Sequence, residues 1–196
     1  FDPGAGNTTL TPVGNYDVAT LKLNASGAFV WVATIGGSGF DFPYAMGVDS
    51  SSNVYITGTF ADSVDLDPGN GTDIKVATGD DIFIQKLDTN GAYVWGRTFG
   101  GEQNDDVYGL GVDPDGDIYL TGQFSDTVDF QSGFGVTPVT SQGASDIWAI
   151  NLDASGELVW VYAVGGAEGD TGFNVSPDGS GNAVISGTFR TTVDFD

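Results

Sequence analysis

The chain has 196 residues, of which 27 are acidic and five are basic, so its formal net charge is −22. It contains neither Cys nor His, which excludes disulfides, zinc–thiolate sites and catalysis by Ser-His-Asp or Cys-His groups. Hydrophobic residues make up 40% of the chain, enough for a sizeable core, so a disordered chain is excluded as well.

The charge and the hydropathy pattern also limit the partners and the location. Five cations cannot cover a phosphate backbone, so we expect no nucleic-acid partner. No apolar run approaches the ~18 residues of a membrane span, so we expect no membrane insertion. The first residues, Phe1-Asp2-Pro3-Gly4, contain no initiator Met and no signal peptide, which is typical of a processed protein or an internal segment. Acidity, few lysines and the lack of Cys favour an extracellular or cell-surface location in a bacterium.

The sequence repeats itself at a period of 64 to 65 residues. This spacing separates four sets of positions: Trp31, Trp95 and Trp160; Gly36, Gly100 and Gly165, each followed by a second Gly; Gly58, Gly122 and Gly187; and Asp17, Asp81 and Asp146. We therefore predict one repeat array over 1–196, with units of approximately 1–65, 66–129 and 130–194.

Within a unit, apolar residues alternate with a period of two, which indicates strands rather than helices. In chain order, the patterns predict a hairpin at 17–37, four strands over 44–101, four strands over 108–166 and a hairpin at 173–190. The polar turn Asp88-Thr89-Asn90-Gly91 joins two of these strands, and its Gly supplies the positive φ of a bulged hairpin. We expect no helix longer than one turn.

Short antiparallel strands in repeated groups of four predict an all-β fold made of β-propeller blades. The phase of the repeat gives two complete blades, 44–101 and 108–166, and two half blades: an outer hairpin at 17–37 and an inner hairpin at 173–190. Each half blade leaves an unpaired strand edge that something must cover.

Two segments of the second unit carry a family resemblance. Residues 79–95 read GDDIFIQKLDTNGAYVW and residues 112–122 read VDPDGDIYLTG, and both resemble the SBBP (β-propeller) repeat of bacterial surface and secreted proteins. The resemblance implies a propeller in a large exported bacterial protein, often combined with adhesive modules, and it implies no reaction. The third unit departs from the pattern, because its turn at 175–182 is longer and Val184 replaces a Tyr, which puts the register of its inner strands in doubt.

Three units are too few to close a propeller ring, which takes roughly four to eight blades. Two explanations stay open. The chain is either a segment of a longer propeller, or a protomer whose end hairpins complete blades with further copies of the same chain.

One acidic turn is a candidate calcium site. The turn 113–117 places three carboxylates at alternating positions around a Gly, and such hard oxygen ligands suit Ca²⁺: Asp113, Asp115 and Asp117. The alternative is a β-turn in which Asp and Gly satisfy local backbone geometry. No other cofactor is expected. Asp41, Asp105 and Asp170, which recur four residues after each double Gly, are expected to bond free backbone N–H groups between blades.

The long connections, 61–80 and 125–145 within the units and 100–107 between blades, define the candidate binding face. In a propeller the short turns share one face and the long connections share the other, and loops on a rigid scaffold concentrate binding residues. We therefore expect a protein or a glycan to bind a polar, acidic set on the long-loop face: Asp65, Asp67, Asn70, Asp73, Asp80, Glu102, Gln103, Asn104, Gln131 and Gln142.

Three functions are compatible with these patterns. The leading interpretation is a non-enzymatic extracellular propeller that serves as a scaffold, an adhesive or a binding module. The second is a subunit of a self-associating extracellular assembly, and the third is a secreted carbohydrate-active propeller that uses an Asp/Glu pair across a cleft. Exact repetition of the three tryptophans favours packing between blades over sugar stacking.

Overall fold

The structure, a computed structural model, describes residues 8–67, 69–130 and 138–196. These residues contain strands and no helix, as the period-two pattern predicts, and so no helix that could cross a membrane. The strands are β1 (Val18–Leu23), β2 (Phe29–Gly37), β3 (Asp41–Val48), β4 (Val54–Asp65), β5 (Ile74–Leu87), β6 (Tyr93–Phe99), β7 (Asp106–Val112), β8 (Ile118–Phe124), β9 (Thr127–Asp129), β10 (Pro138–Thr140), β11 (Asp146–Leu152), β12 (Leu158–Val164), β13 (Thr171–Pro177) and β14 (Ala183–Thr188).

The strands form two four-stranded antiparallel groups, flanked by two hairpins. Strands β3, β4, β5 and β6 pair in that order, and β7, β8, β11 and β12 repeat the arrangement. The pair β1–β2 precedes the first group and β13–β14 follows the second. The all-β prediction and the blade architecture are confirmed.

The turns that join the outer strands show how local sequence sets the strand register. The Asp88 carboxylate accepts hydrogen bonds from the N–H groups of Asn90 at 2.7 Å and Ala92 at 2.9 Å, and Gly91 has a φ of 81°. Asn24 and Asp153 hold the two equivalent turns in the same way. Because an L-residue rarely adopts this φ, the Gly fixes where each outer hairpin reverses.

A hairpin extension links each blade to the one before it. Beyond Asp62, which has a φ of 60°, the last residues of β4 pair with the first residues of β5 and also with β2, at Gly36–Asp65 and Gly37–Val64. In the next blade β9 and β10 form the equivalent hairpin, which bridges back through Gly100 and Asp129. The outer strand of one blade is therefore tied to the next blade by backbone hydrogen bonds.

The hydrophobic core lies between successive blades. One buried cluster includes Trp95, Phe130 and Trp148 and joins the two four-stranded groups. A second cluster, which includes Ile35, Phe60 and Phe83, joins the β1–β2 hairpin to the first group. The first strands of successive blades, β3, β7 and β13, also contact one another, so they are the inner strands of the array.

The two flanking hairpins each leave a strand, β1 or β14, with one edge that has no partner among the described residues. Strand β1 pairs only with β2, and β14 pairs only with β13. The β14 edge belongs to the divergent unit: Val184 is 64% exposed, whereas Tyr55 and Tyr119 at the equivalent positions are buried. The β13–β14 pair keeps the antiparallel register of the other inner hairpins, with one irregularity between Gly172 and Asn174.

Candidate functional site

The repeated tryptophans pack where the outer strand of one blade meets the turn of the next. The indole N–H of Trp95 donates to the Ala154 carbonyl at 3.3 Å, and its ring lies against Gly156, where a Cβ would sit 3.1 Å from ring atoms. Trp31 makes the matching contacts with Thr89 and Gly91. Trp160 packs on Tyr119 of its own blade, at a centroid distance of 6.2 Å. The tryptophans at the two inter-blade contacts are therefore packing residues.

Four residues of the predicted binding face belong to the hairpin extension of the first blade. The Asp65 carboxylate accepts the N–H groups of Asp67 at 3.0 Å and Asp73 at 2.8 Å, and Asp67 in turn accepts the N–H of Gly69 at 2.8 Å. Asp73 pairs with Lys75 at 2.6 Å and accepts the Tyr93 hydroxyl proton. The partners of these three carboxylates thus lie within the extension and on the adjacent strand β6, whereas Asn70 is exposed.

Four further residues of that face lie together at the connection between the two blades. The Asp80 N–H donates to the Asn104 side chain at 3.2 Å, and residues 102–104 are exposed beside it, including Glu102 and Gln103. Gln142 is exposed at the next junction, where its N–H donates to Asp146 at 2.8 Å. Gln131 lies outside the described residues. The binding role of the set stays a prediction.

The acidic turn at 113–117 is held by its first carboxylate. Asp113 is buried, and its Oδ1 accepts the N–H groups of Asp115 at 2.9 Å and Asp117 at 3.0 Å, while Gly116 has a φ of 91°. Burial and repulsion from Asp113 raise the pKa of Asp117. Over the described part of the chain, no three acidic side chains converge as ligands of one metal ion. The turn geometry alone accounts for these contacts, and calcium binding at this turn stays a prediction.

An aromatic row runs across the three inner strands and was not predicted from the sequence. We call Tyr44, Tyr108 and Phe173 the axial row. The rings of Tyr44 and Tyr108 meet edge to face with their centroids 5.5 Å apart, and the tilted rings of Tyr108 and Phe173 have centroids 5.7 Å apart. Tyr44 is 46% exposed and Phe173 43% exposed. The signal is present in the sequence, because these aromatics recur at the 64- and 65-residue spacing.

A polar network borders the axial row. The Gln123 side chain donates to the Asp106 carboxylate at 2.8 Å and accepts the Thr171 hydroxyl proton at 2.7 Å. Burial, followed by the charge of Asp106, raises the pKa of Tyr108 to about 12, so its hydroxyl stays a hydrogen-bond donor at neutral pH. Aromatic faces thus lie beside a carboxylate, an amide and hydroxyl groups.

Paired aspartates occupy each junction between blades. We call Asp17/Asp41, Asp81/Asp105 and Asp146/Asp170 the junction pairs. In each pair the N–H of the second Asp donates to the carbonyl of the residue just before the first Asp, at 2.8 to 2.9 Å. The second Asp also accepts the N–H of the second Gly of the double Gly, at 3.0, 2.9 and 2.7 Å. The expected bonding of Asp41, Asp105 and Asp170 to free backbone N–H groups is therefore present in all three units.

Four-stranded antiparallel blades, joined through contacts between their inner strands, place the chain in the β-propeller class. The sequence model of the SBBP family, described as a β-propeller repeat, matches residues 30–59 and 94–123. Both matched segments run from an outer strand into the two inner strands of the following blade.

The chain is also similar to a curated viral protein, the uncharacterized WD repeat-containing protein L264 of Acanthamoeba polyphaga mimivirus. The two are 28% identical over 211 aligned positions, which cover 96% of this chain. The chain spans 15% of the length of that relative.

Proposed function

We propose that this chain is a non-enzymatic binding module of an exported or cell-surface protein, and that its axial row binds a glycan. The β-propeller blades supply the rigid scaffold. The observation that carries the proposal is the row of exposed Tyr44, half-buried Tyr108 and exposed Phe173 beside a polar network. The exposed residues of the long-loop face, Asn70, Glu102, Gln103, Asn104 and Gln142, would contact more distant parts of the same ligand.

The chemistry of the row suits a carbohydrate. Sugar rings stack on aromatic faces through their C–H surfaces, while their hydroxyl groups need donors and acceptors nearby. Asp106, Gln123 and Thr171 supply such groups next to the rings. Hydrolysis needs two carboxylates across an open cleft, whereas the junction pairs are mostly buried between blades. We therefore propose binding without catalysis.

A glycan array with the purified chain tests this proposal, followed by titration calorimetry with any glycan that binds. We expect Tyr108→Ala to weaken binding by about tenfold, which corresponds to about 1.4 kcal/mol. Tyr162→Ala is the matched control, because Tyr162 is 40% exposed but lies on the outer strand β12. Binding that Tyr108→Ala leaves unchanged, or an array without any bound glycan, would contradict the glycan proposal.

The unpaired edges favour a second candidate function, self-association that completes blades between copies. A groove of about 310 Å³ lies between β1 and β3 and is lined by residues 18–21, residues 43–46 and Ile56. One repeat later, β5 and β7 are the equivalents of β1 and β3. The space between them is filled by β4, which pairs with β5 and contacts β7. Strand β14 is the equivalent of β4 in the last unit, so β14 of a second copy is the occupant that the internal repeat predicts.

The complete blades also predict the register of this contact. Ile150 faces Leu120 in one blade and Gln85 faces Ile56 in the other, so Leu21 of one copy should face Ile185 of a second copy. The chain contains no Cys, so Leu21→Cys/Ile185→Cys should form a disulfide-linked dimer on mild oxidation. Leu21→Cys/Ser186→Cys is the control, because a shift by one residue turns the second side chain to the opposite face.

Ionic strength should control this association. The net charge of −22 opposes contact between copies, and the Debye length falls from ~30 Å at 0.01 M salt to ~3 Å at 1 M salt. Sedimentation velocity should therefore show larger species at high salt than at low salt. A compact monomer at both salt concentrations would contradict self-association.

A further inference from the structure

In each junction pair, both carboxylates lie against the same Gly-Gly dipeptide. A Cβ on Gly36 would lie 2.3 Å from the Asp17 carboxylate, while the adjacent Gly37 donates its N–H to Asp41. A Cβ on Gly100 would lie at the same 2.3 Å from the Asp81 carboxylate, and a Cβ on Gly165 at 2.3 Å from the Asp146 carboxylate. The two carboxylates of a pair are therefore neighbours, and the charge of one acts on the other in all three pairs.

Several oxygens of these pairs have no protein partner. The Oδ1 atoms of Asp17, Asp41, Asp81 and Asp146 are buried, and no donor of the described residues reaches them. Asp41 is 1% exposed, Asp146 2% and Asp81 8%. A buried carboxylate oxygen without a donor carries a large desolvation cost, and buried charges in proteins are normally paired or bound to metal ions.

The basic side chains of the protein do not neutralise the junction pairs. The two ion pairs of the described residues join Lys75 to Asp73 and Arg97 to Glu157. Lys22 donates to Thr89 and Lys86 donates to the Ala154 carbonyl. The Arg190 backbone N–H reaches Asp170, but no ion pair joins its guanidinium to that carboxylate. Among the described residues, no basic side chain therefore supplies a countercharge to a junction pair.

We propose that each junction pair binds one Ca²⁺ ion between the blades. Two carboxylates balance the charge of one divalent cation, and Ca²⁺ accepts carboxylate and backbone oxygens in flexible geometry, whereas Mg²⁺ keeps several waters. Since no third acidic side chain joins a pair in the described residues, the remaining ligands are backbone oxygens and water. This inference is independent of the proposed glycan site.

Titration calorimetry with CaCl₂ on the EGTA-stripped chain, at about pH 8 and ~0.15 M NaCl, tests the proposal. We expect three Ca²⁺ ions per chain, and two after Asp81→Asn/Asp105→Asn. The control Asp113→Asn/Asp115→Asn changes the acidic turn at 113–117 and should still bind three. Loss of one ion in the control but not in the junction variant would place calcium at that turn and overturn the proposal.

A second measurement does not depend on the folding of the variants. The melting temperature of the unmodified chain at about pH 8 should rise with CaCl₂ and not with NaCl of equal ionic strength. A melting temperature that does not respond to CaCl₂ would overturn the proposal.

Discussion

Replacing Trp95 by Ala tests whether the repeated tryptophans hold neighbouring blades together. Trp95 is 9% exposed and belongs to the cluster that joins the two four-stranded groups. Its ring faces Gly156 and Tyr55, its N–H bonds to the Ala154 carbonyl, and the Arg97 guanidinium lies 5.5 Å from the ring centroid. Removal of the ring therefore affects both blades at once.

The expected loss follows from these contacts. A buried Trp covers roughly 150–250 Å², of which Ala retains a minor part. At about 25 cal/mol per Å² the lost burial corresponds to about 3–4 kcal/mol. Loss of the cation–π contact adds about 0.5–1 kcal/mol. We therefore expect Trp95→Ala to lower the free energy of unfolding by about 3–5 kcal/mol, in the range measured for buried aromatics.

Urea unfolding, followed by circular dichroism, measures this loss. Val94→Ala is the matched control, because Val94 is the preceding residue on β6 and is 48% exposed, so its change should stay within about 0.5 kcal/mol. Trp31 and Trp160 are only half-buried, and we expect smaller losses there. Equal, small losses for Trp95→Ala and Val94→Ala would refute the inter-blade packing role.

Two further predictions concern the junction pairs. In EGTA, the melting temperature should fall as the pH rises from about 5 to 8, because burial raises the folded-state pKa of Asp41 and Asp105 to about 7, well above the usual value of 3.8. The stability that these protons contribute is complete below the pKa of the aspartates in the unfolded chain, and it is lost as the pH rises through their pKa in the folded chain. A melting temperature that rises over this range would contradict the prediction. Gly100→Ala should destabilise the chain by at least about 2 kcal/mol, because its Cβ would lie 2.3 Å from the Asp81 carboxylate. Gly27→Ala is the control, because a Cβ there would meet open space and would cost only the strain of a φ of 79°, about 1 kcal/mol. Equal losses of unfolding free energy for the two variants in urea would refute the steric argument.

The sequence predicted the parts of the fold that depend on local patterns. Alternating strands, Gly-terminated turns such as that at Gly91, and the phase of the blades follow from contacts between residues close in the chain. The repeat then extends each assignment to the equivalent segments, which is why hairpins were expected at 17–37 and 173–190, where β1 pairs with β2 and β13 pairs with β14.

Other features depend on contacts between distant segments. The connections 61–80 and 125–145 were read as long loops, but strand pairing continues in both beyond Asp62 and Asp126, whose positive φ values of 60° no composition rule predicts. The two aspartates of a junction pair are 24 residues apart in the chain, as Asp81 and Asp105 are. The sequence therefore showed that each aspartate recurs in every unit, but it did not show that the two lie side by side. The axial row needs the inner strands to be neighbours, which strand patterns alone do not establish.

Proximity of the inner strands is the central claim, because the proposed binding site depends on it. A short bifunctional thiol reagent tests it directly, since the chain has no Cys of its own. In the variant Tyr44→Cys/Tyr108→Cys the two positions, whose rings lie 5.5 Å apart, should be joined within one chain. In the control Tyr44→Cys/Tyr162→Cys the second position is on the outer strand β12 and should stay unlinked. Equal cross-linking of both variants, or none in the first, would contradict the blade arrangement and the axial row.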